Sequence, residues 1–439
     1  MSGREPDGTT VSDSTYRITG GCRLTGVVQI GGAKNNAMPC MAAALLTREP
    51  VRLHNVPDIV DVHVLAEILR RLGVSVDFDR EGHTLTLQAA SEPGSAPPDD
   101  LVRQLRGSFL VTGPLLARVG NVACVPPGGD QIGLRSVDVH LSGFAALGAQ
   151  VQWEDGHCTL AADRLTGARV VLDYPSVVGT ENLILAAVLA DGRTTIVNAA
   201  MEPEIACLAA MLNEMGAQVS GAGGHTISID GVESLSGAQH TLIPDRIEAG
   251  TFAVAAAITG GNVLIQGAMP HHLYALLSKL TEIGASVEEQ DGGFRVAGDR
   301  ALVAANVQAV PYPGLATDLQ ALVTTLLTQA QGTSVVHERV FENRLGYVED
   351  LRAMGAQIDV AGSTATVHGP TPLHGATVQG RDIRSAASLM LAALAAEGTT
   401  ELRDAAHLAR GYEDLDAKLR ALGADIVPGM PQPQAPAVR

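Results

Sequence analysis

Two hydrophobic periods alternate along this chain. Apolar residues three and four apart, as in Val64-Leu65-Ile68-Leu69-Leu72 or Leu415-Leu419-Leu422, mark the buried face of a helix. Each such stretch runs into the same phrase: LGVSV at Leu72, LGAQV at Leu147, MGAQV at Met215, IGASV at Ile283, MGAQI at Met354 and LGADI at Leu422. The glycines fall at 73, 148, 216, 284, 355 and 423, spaced by 75, 68, 68, 71 and 68 residues. The phrase predicts a helix capped by glycine and followed by a strand. A second phrase alternates with the first: a helix of small residues, a short turn, then a β-branched run, as in GTFAVAAAITGGNVLIQGA and AASLMLAALAAEGTTELRDA. Helices apolar on nearly every side belong in the centre of a domain. Units of about 70 residues exceed ordinary solenoid repeats, so six units in two domains of three are expected. The first dozen residues and the final PGMPQPQAPAVR lack either period and are expected to be disordered.

Composition supports this. With 46% hydrophobic but only 3% aromatic residues, and 48 glycines among 439, the α/β packing must rest on Ala, Leu and Val. The net charge of -17 argues against a nucleic-acid binder, although it says nothing about the content of one small site. No apolar run is long enough to span a bilayer, and the N-terminus lacks a signal-peptide stretch, so a cytoplasmic protein is expected. Five cysteines, without CxxC spacing or neighbouring His pairs, suggest neither a disulfide scaffold nor a zinc site. No phosphate-loop, HExxH or GxSxG motif occurs, GAGGH at Gly221 reads as a hairpin, and His271-His272 as a surface turn. No metal and no organic cofactor are expected.

Cations stand instead at the junctions of predicted elements: Lys34 in QIGGAKNNAMP, Arg106 in QLRGSF, Arg135 in GGDQIGLRSVD, Arg344 in VFENRLGY, Arg384 in GRDIRSAASL and Arg410 in HLARGYED. Beside glycines and helix starts, such cations suit anion capture, where free N–H groups and the helix dipole add to the charge. Singly, each could equally be a solvated surface residue or half of a structural ion pair. Two carboxylates share this setting, Asp130 in PPGGDQIG and Asp318 in GLATDLQ. Each could cap a turn or helix, or act as an acid or base.

As a set, GGAKNNAMP, PGGDQIG, YPSVVGTENLILAAVLADG, NAAMEPEI, LIPDRIEAGTF, TDLQ, VFENR and RGYEDLDAKLRALGA resemble the enolpyruvyl transferases, and within them the branch that acts on UDP-N-acetylglucosamine. The resemblance runs from about Tyr16 to Ile426. It implies a two-domain inverse α/β barrel: six βαβαββ repeats, three per domain, around a central cleft. One domain would comprise 1–33 plus 244–439 and the other 34–243, with a lid loop near 125–136. It implies transfer of the enolpyruvyl group of phosphoenolpyruvate to an acceptor hydroxyl, through a tetrahedral intermediate, with release of phosphate. Lys34, Arg106 and Arg135 match positions that hold the phosphate; Arg344, Arg384 and Arg410 match those around the carboxylate. Asp318 matches the base for the acceptor hydroxyl. Asp130 stands in the lid where most members carry cysteine; a carboxyl still exchanges protons but is a poor nucleophile toward an epoxide. Insensitivity to fosfomycin, which alkylates that cysteine, is therefore expected.

On the acceptor side the resemblance assigns Asn35, Arg135, Ser136, Val137, Asp138, Ser176, Val177, Asp318 and Val340 to a uridine nucleotide. Here the chain departs from the pattern. Ser136 replaces a proline, Val178 a glycine, Ala316 a proline and Ala409 an aspartate. A β-branched Val178 would resist a turn that needs positive φ. UDP-N-acetylglucosamine thus competes with another acceptor, such as uridine monophosphate, and with a non-catalytic nucleotide-sugar binder that regulates a partner. Oligomeric state is open.

Overall fold

Helix Val60–Arg71 buries Val62, Leu65, Ile68 and Leu69, as its spacing predicts. It ends where Gly73 turns left-handed at φ 92° and Val74 donates its N–H to the Leu69 carbonyl at 2.9 Å. A residue with a Cβ resists that conformation, which is why glycine recurs there. All six repeated glycines adopt it, with φ between 92° and 111°. The computed structural model describes residues 14–154 and 156–429. The expected disorder of both ends falls on residues outside that set, except that Pro428 closes the last strand, Asp425–Pro428.

The small-residue helices are largely buried. In helix Arg246–Ile258 every residue is buried, and it packs on Thr317–Leu327 and Ile383–Ala395. Close approach requires small residues: a Cβ on Gly250 would come within 2.7 Å of Leu319 Cδ2. A second set, Lys34–Ala43, Thr112–Val119 and Val177–Ala187, packs likewise. Two hydrophobic cores result. One draws on residues from Ala37 to Leu242, the other on Ile18 to Ile30 and Ile247 to Ile426.

Among the described residues six small sheets flank these helices, five mixed sheets of four strands and one antiparallel sheet of three. In one, Val51–His54 runs parallel to Ala238–Thr241 and antiparallel to Thr84–Gln88, which pairs with Ser75–Asp79. In the three-stranded sheet the place of the parallel edge is taken by a single bond, Ala123 N–H to the Ser95 carbonyl at 3.0 Å. Strand Thr25–Gln29 runs parallel to Asn262–Gln266, and Tyr16–Thr19 pairs with Thr399–Arg403, so the first strands join the C-terminal part of the chain. GAGGH connects the antiparallel strands Gln218–Ser220 and Thr226–Asp230, the expected hairpin.

The chain crosses between the cores at Gly31–Lys34 and Ile243–Asp245, and the two crossings bond to each other. Ala33 N–H donates to Ile243 O at 2.8 Å and Asp245 N–H to Gly31 O at 2.9 Å. Gly32 lies so close to Asn55 O that a Cβ would sit 1.7 Å from it. This hinge fixes the start of helix Lys34–Ala43 at the boundary. Among the described residues no helix is long and apolar enough to cross a membrane.

Candidate active site

The site residues lie in first helical turns and turns at the boundary between the cores. Lys34 opens helix Lys34–Ala43, Asp61 is second in Val60–Arg71, Asp318 second in Thr317–Leu327 and Arg384 second in Ile383–Ala395. Arg106 opens the turn Arg106–Val111 and Arg410 closes Ala405–Arg410.

Two ion-pair clusters form. In the first, Asp61, only 1% exposed, pairs with Lys34 Nζ at 2.6 Å and with Arg410 Nε at 3.0 Å. Arg410 Nη1 also donates to the Asp130 carboxylate. Burial works against the Arg410 charge, but Asp61 and Asp130 outweigh it and raise its pKa above the usual guanidinium value. In the second, Asp318 Oδ1 accepts from Arg344 Nη2 at 2.7 Å and Oδ2 from Arg384 Nε at 3.0 Å. Burial alone would raise the pKa of Asp318; Arg384 and Arg344 together hold it well below the usual carboxylate range. Asp318 is therefore neither a turn residue nor the helix cap; Ala316 precedes the helix with no side-chain cap.

Supporting groups lock the second cluster. Arg344 Nη1 donates to Thr317 Oγ1 at 2.9 Å, and that hydroxyl donates to Glu338 at 2.7 Å. The guanidinium of Arg384 lies 5.0 Å from the Tyr412 ring centre. Arg344 and Arg135 both lie over the Phe341 ring, at 5.4 and 5.7 Å, which brings Arg135 to the second cluster.

Arg135 and Arg106 differ from the other four cations. Their hydrogen bonds go to backbone carbonyls, Arg135 to Asp130 O and Arg106 to Ser136 O, each at 3.2 Å. Burial lowers the pKa of both, Arg106 to about 10 with Arg135 adding repulsion. Arg135 is also held at φ 43°, a conformation costly for a side chain of its size. Two half-buried guanidiniums that pair with no carboxylate among the described residues form a site that an anion would stabilise.

The Asp130 loop reaches the other core. Leu134 N–H donates to Glu342 Oε1 at 2.8 Å, and Asn343 N–H to Ile132 O at 3.2 Å. Sequence reasoning missed Asp61, Glu338, Glu342 and Tyr412. A signal for Asp61 existed, since it shares the buried stripe of its helix with Leu65 and Leu69.

The residues expected on the acceptor side are less connected. Val137 precedes and Asp138 opens helix Asp138–Ala146, while Ser136 Oγ accepts from the Asp138 N–H at 3.2 Å. Ser176 caps helix Val177–Ala187, accepting from Gly179 N–H at 3.2 Å. These two helix starts touch, because a Cβ on Gly179 would meet Val139 Cγ1 at 2.7 Å. Asn35 lies half-buried one residue into its helix, and Val340 N–H bonds Glu338 at 2.7 Å. The expected strain at Val178 is corrected: it lies in the first turn of a helix and has no positive φ, so a β-branched residue fits.

Similarity to known proteins agrees with this geometry. The pattern of the EPSP synthase family (3-phosphoshikimate 1-carboxyvinyltransferase) matches residues 18–419. A UDP-N-acetylglucosamine 1-carboxyvinyltransferase 1 of Caldanaerobacter subterraneus subsp. tengcongensis is 47% identical over 403 residues, 92% of this chain and 96% of that one. Another, from Symbiobacterium thermophilum, is 48% identical over 415 residues, 94% of each. Among solved structures, the enolpyruvyl transferase NikO from Streptomyces tendae superposes with TM-score 0.86 at 30% identity, covering 95% of this chain and 99% of NikO. The EPSP synthase from Acinetobacter baumannii shares the fold, with TM-score 0.73 at 20% identity over 95% of this chain and 100% of its own. With cations and carboxylates gathered between two α/β cores, and these relatives spanning nearly its whole length, the chain belongs to the EPSP synthase family of 1-carboxyvinyl (enolpyruvyl) transferases.

Proposed function

We propose that this chain transfers the enolpyruvyl group of phosphoenolpyruvate to the 3-hydroxyl of UDP-N-acetylglucosamine, releasing phosphate, the first committed step of peptidoglycan synthesis. The carrying observation is the pair Arg106 and Arg135, half-buried guanidiniums bonded to carbonyls and not to carboxylates. With Lys34 they take the phosphate, and Arg344, Arg384 and Arg410 surround the carboxylate. Relatives at 47 and 48% identity carrying that acceptor in their names support the choice of UDP-N-acetylglucosamine. Val178 lies in a helical turn without positive φ and so gives no reason to expect a different nucleotide.

The reaction needs a proton removed from the acceptor hydroxyl as its oxygen bonds to C2 of phosphoenolpyruvate, and a proton added at C3. The tetrahedral intermediate then breaks its bond to phosphate and loses a proton from C3. Asp318 takes the hydroxyl proton. Clamped by two guanidiniums it is a weak base, but a substrate carboxylate that competes for Arg344 and Arg384 loosens the clamp and raises its basicity. Asp130, on the loop that bonds Glu342 and Arg410, closes the site and exchanges protons there. The six sheets and two cores support the inverse-barrel reading of six repeats, with domains 1–33 plus 244–439 and 34–243 and the Asp130 loop as lid. We read the enzyme as cytoplasmic.

The test is acceptor-dependent phosphate release from phosphoenolpyruvate with UDP-N-acetylglucosamine or uridine monophosphate, and mass spectrometry of the product. Release with the sugar nucleotide, and a product carrying an added enolpyruvyl ether, is expected. Release with the monophosphate alone would move the chemistry to another hydroxyl. Silence with both would leave a nucleotide-sugar binder.

A further inference from the structure

Asp61 answers to no motif, yet it joins a cation of one core, Lys34, to a cation of the other, Arg410. Lys34 and Asp61 open helices of one core, whereas Arg410 comes from the other, 349 residues along the chain. A carboxylate that is 1% exposed is costly to bury and persists where its partners repay the desolvation. A first-turn acid serving only its helix dipole could do so from the surface. Asp61 instead directs one oxygen to Lys34 Nζ and the other to Arg410 Nε.

Arg410 has two arms in use, Nε on Asp61 and Nη1 on Asp130. The Asp61 arm joins it to a buried helix start and the Asp130 arm to the loop that bonds to the other core. A substrate anion can therefore displace Asp130 from Nη1 while Nε stays anchored. The Asp61 charge meanwhile offsets part of the positive field that Lys34 and Arg410 present, and so limits how tightly the product phosphate is held.

We propose that Asp61 is the positioning residue of this site: it holds Lys34, on the phosphate side, and Arg410, on the carboxylate side, in register where the two cores meet, and its charge offsets the positive field that a bound phosphate meets. This rests on the enolpyruvyl-transfer reading for the identity of the anion. The role predicts an opposed pair of effects. Replacing the charge by an isosteric amide should impair turnover, because the two cations lose register, and should strengthen binding of a free anion, because their field is no longer offset.

The experiment is Asp61→Asn in the full chain, with steady-state phosphate release and calorimetric titration of inorganic phosphate, beside thermal unfolding. Expected are a kcat lower by about tenfold to a hundredfold and phosphate bound about tenfold more tightly, as loss of one nearby charge at intermediate dielectric implies. Asp58→Asn, three residues earlier and paired with His63, should change neither. Unchanged kcat, or phosphate binding that is unchanged or weaker, would overturn the proposal, since a residue needed only for packing cannot improve anion affinity when replaced. Should the amide variant not fold, Asp61→Ser removes the same charge without crowding and is read identically. If the unaltered chain releases no phosphate with any acceptor, the transfer reading fails, but the calorimetric comparison still decides the role of Asp61.

Discussion

Asp318→Asn separates catalysis from structure at one residue. The substitution keeps the shape of the side chain and removes the charge that faces Arg344 and Arg384, whose side chains are 6 and 5% exposed. Removing one partner of a buried pair costs about 3–5 kcal/mol. The Asp318 side chain is itself 26% exposed, and solvent screening lowers that to about 2–3 kcal/mol. For a domain of this size each kcal/mol lowers Tm by about 2–4 °C, so a fall of about 4–12 °C is expected. The sign of the pH dependence follows from its depressed pKa. The stabilisation is complete above the unfolded carboxylate value of about 3.9 and is lost as pH falls toward the folded value. The variant and parent should therefore converge in acid and differ fully at pH 7. Loss of a general base costs about 10²–10⁴ in rate, so phosphate release should fall by at least a hundredfold while calorimetry still detects acceptor binding. Turnover within about tenfold of the parent would refute the base assignment; an unaltered Tm at pH 7 would refute the charge pairing.

Two further outcomes are expected. His140 is 4% exposed, lies 3.0 Å from the Asn182 amide, and burial lowers its pKa to about 3. The unfolded chain takes up that proton first, so stability is full above about pH 6.5 and falls by about 1.4 kcal/mol per pH unit below it; urea melts from pH 7 to 4 should show this slope, reduced in His140→Gln. Fosfomycin should leave phosphate release intact and add no mass to the protein, whereas Asp130→Cys should become alkylated at that position; stoichiometric labelling of the parent at Asp130 would contradict this.

The local fold was legible because its causes are local. Each repeated glycine ends a helix, where the backbone needs a left-handed turn. Helices such as Arg246–Ile258 announce their burial by being apolar all round. Val178 shows the limit of that reasoning, because a turn inferred at that position is the first turn of a helix capped by Ser176.

By itself the sequence singled out the cations of the candidate site, the element junctions where they stand and the family pattern that unites them. Only the tertiary structure decided how they are paired. Asp318 meets Arg344 and Arg384 from 26 and 66 residues away, and Asp61 meets Arg410 across 349. Neutralisation depends on separation in space, since Coulomb energy falls with distance and rises with burial. Spacing along a chain carries neither quantity. For the same reason Arg106 and Arg135 separate from the other cations only in three dimensions, where their partners among the described residues are carbonyls and not carboxylates.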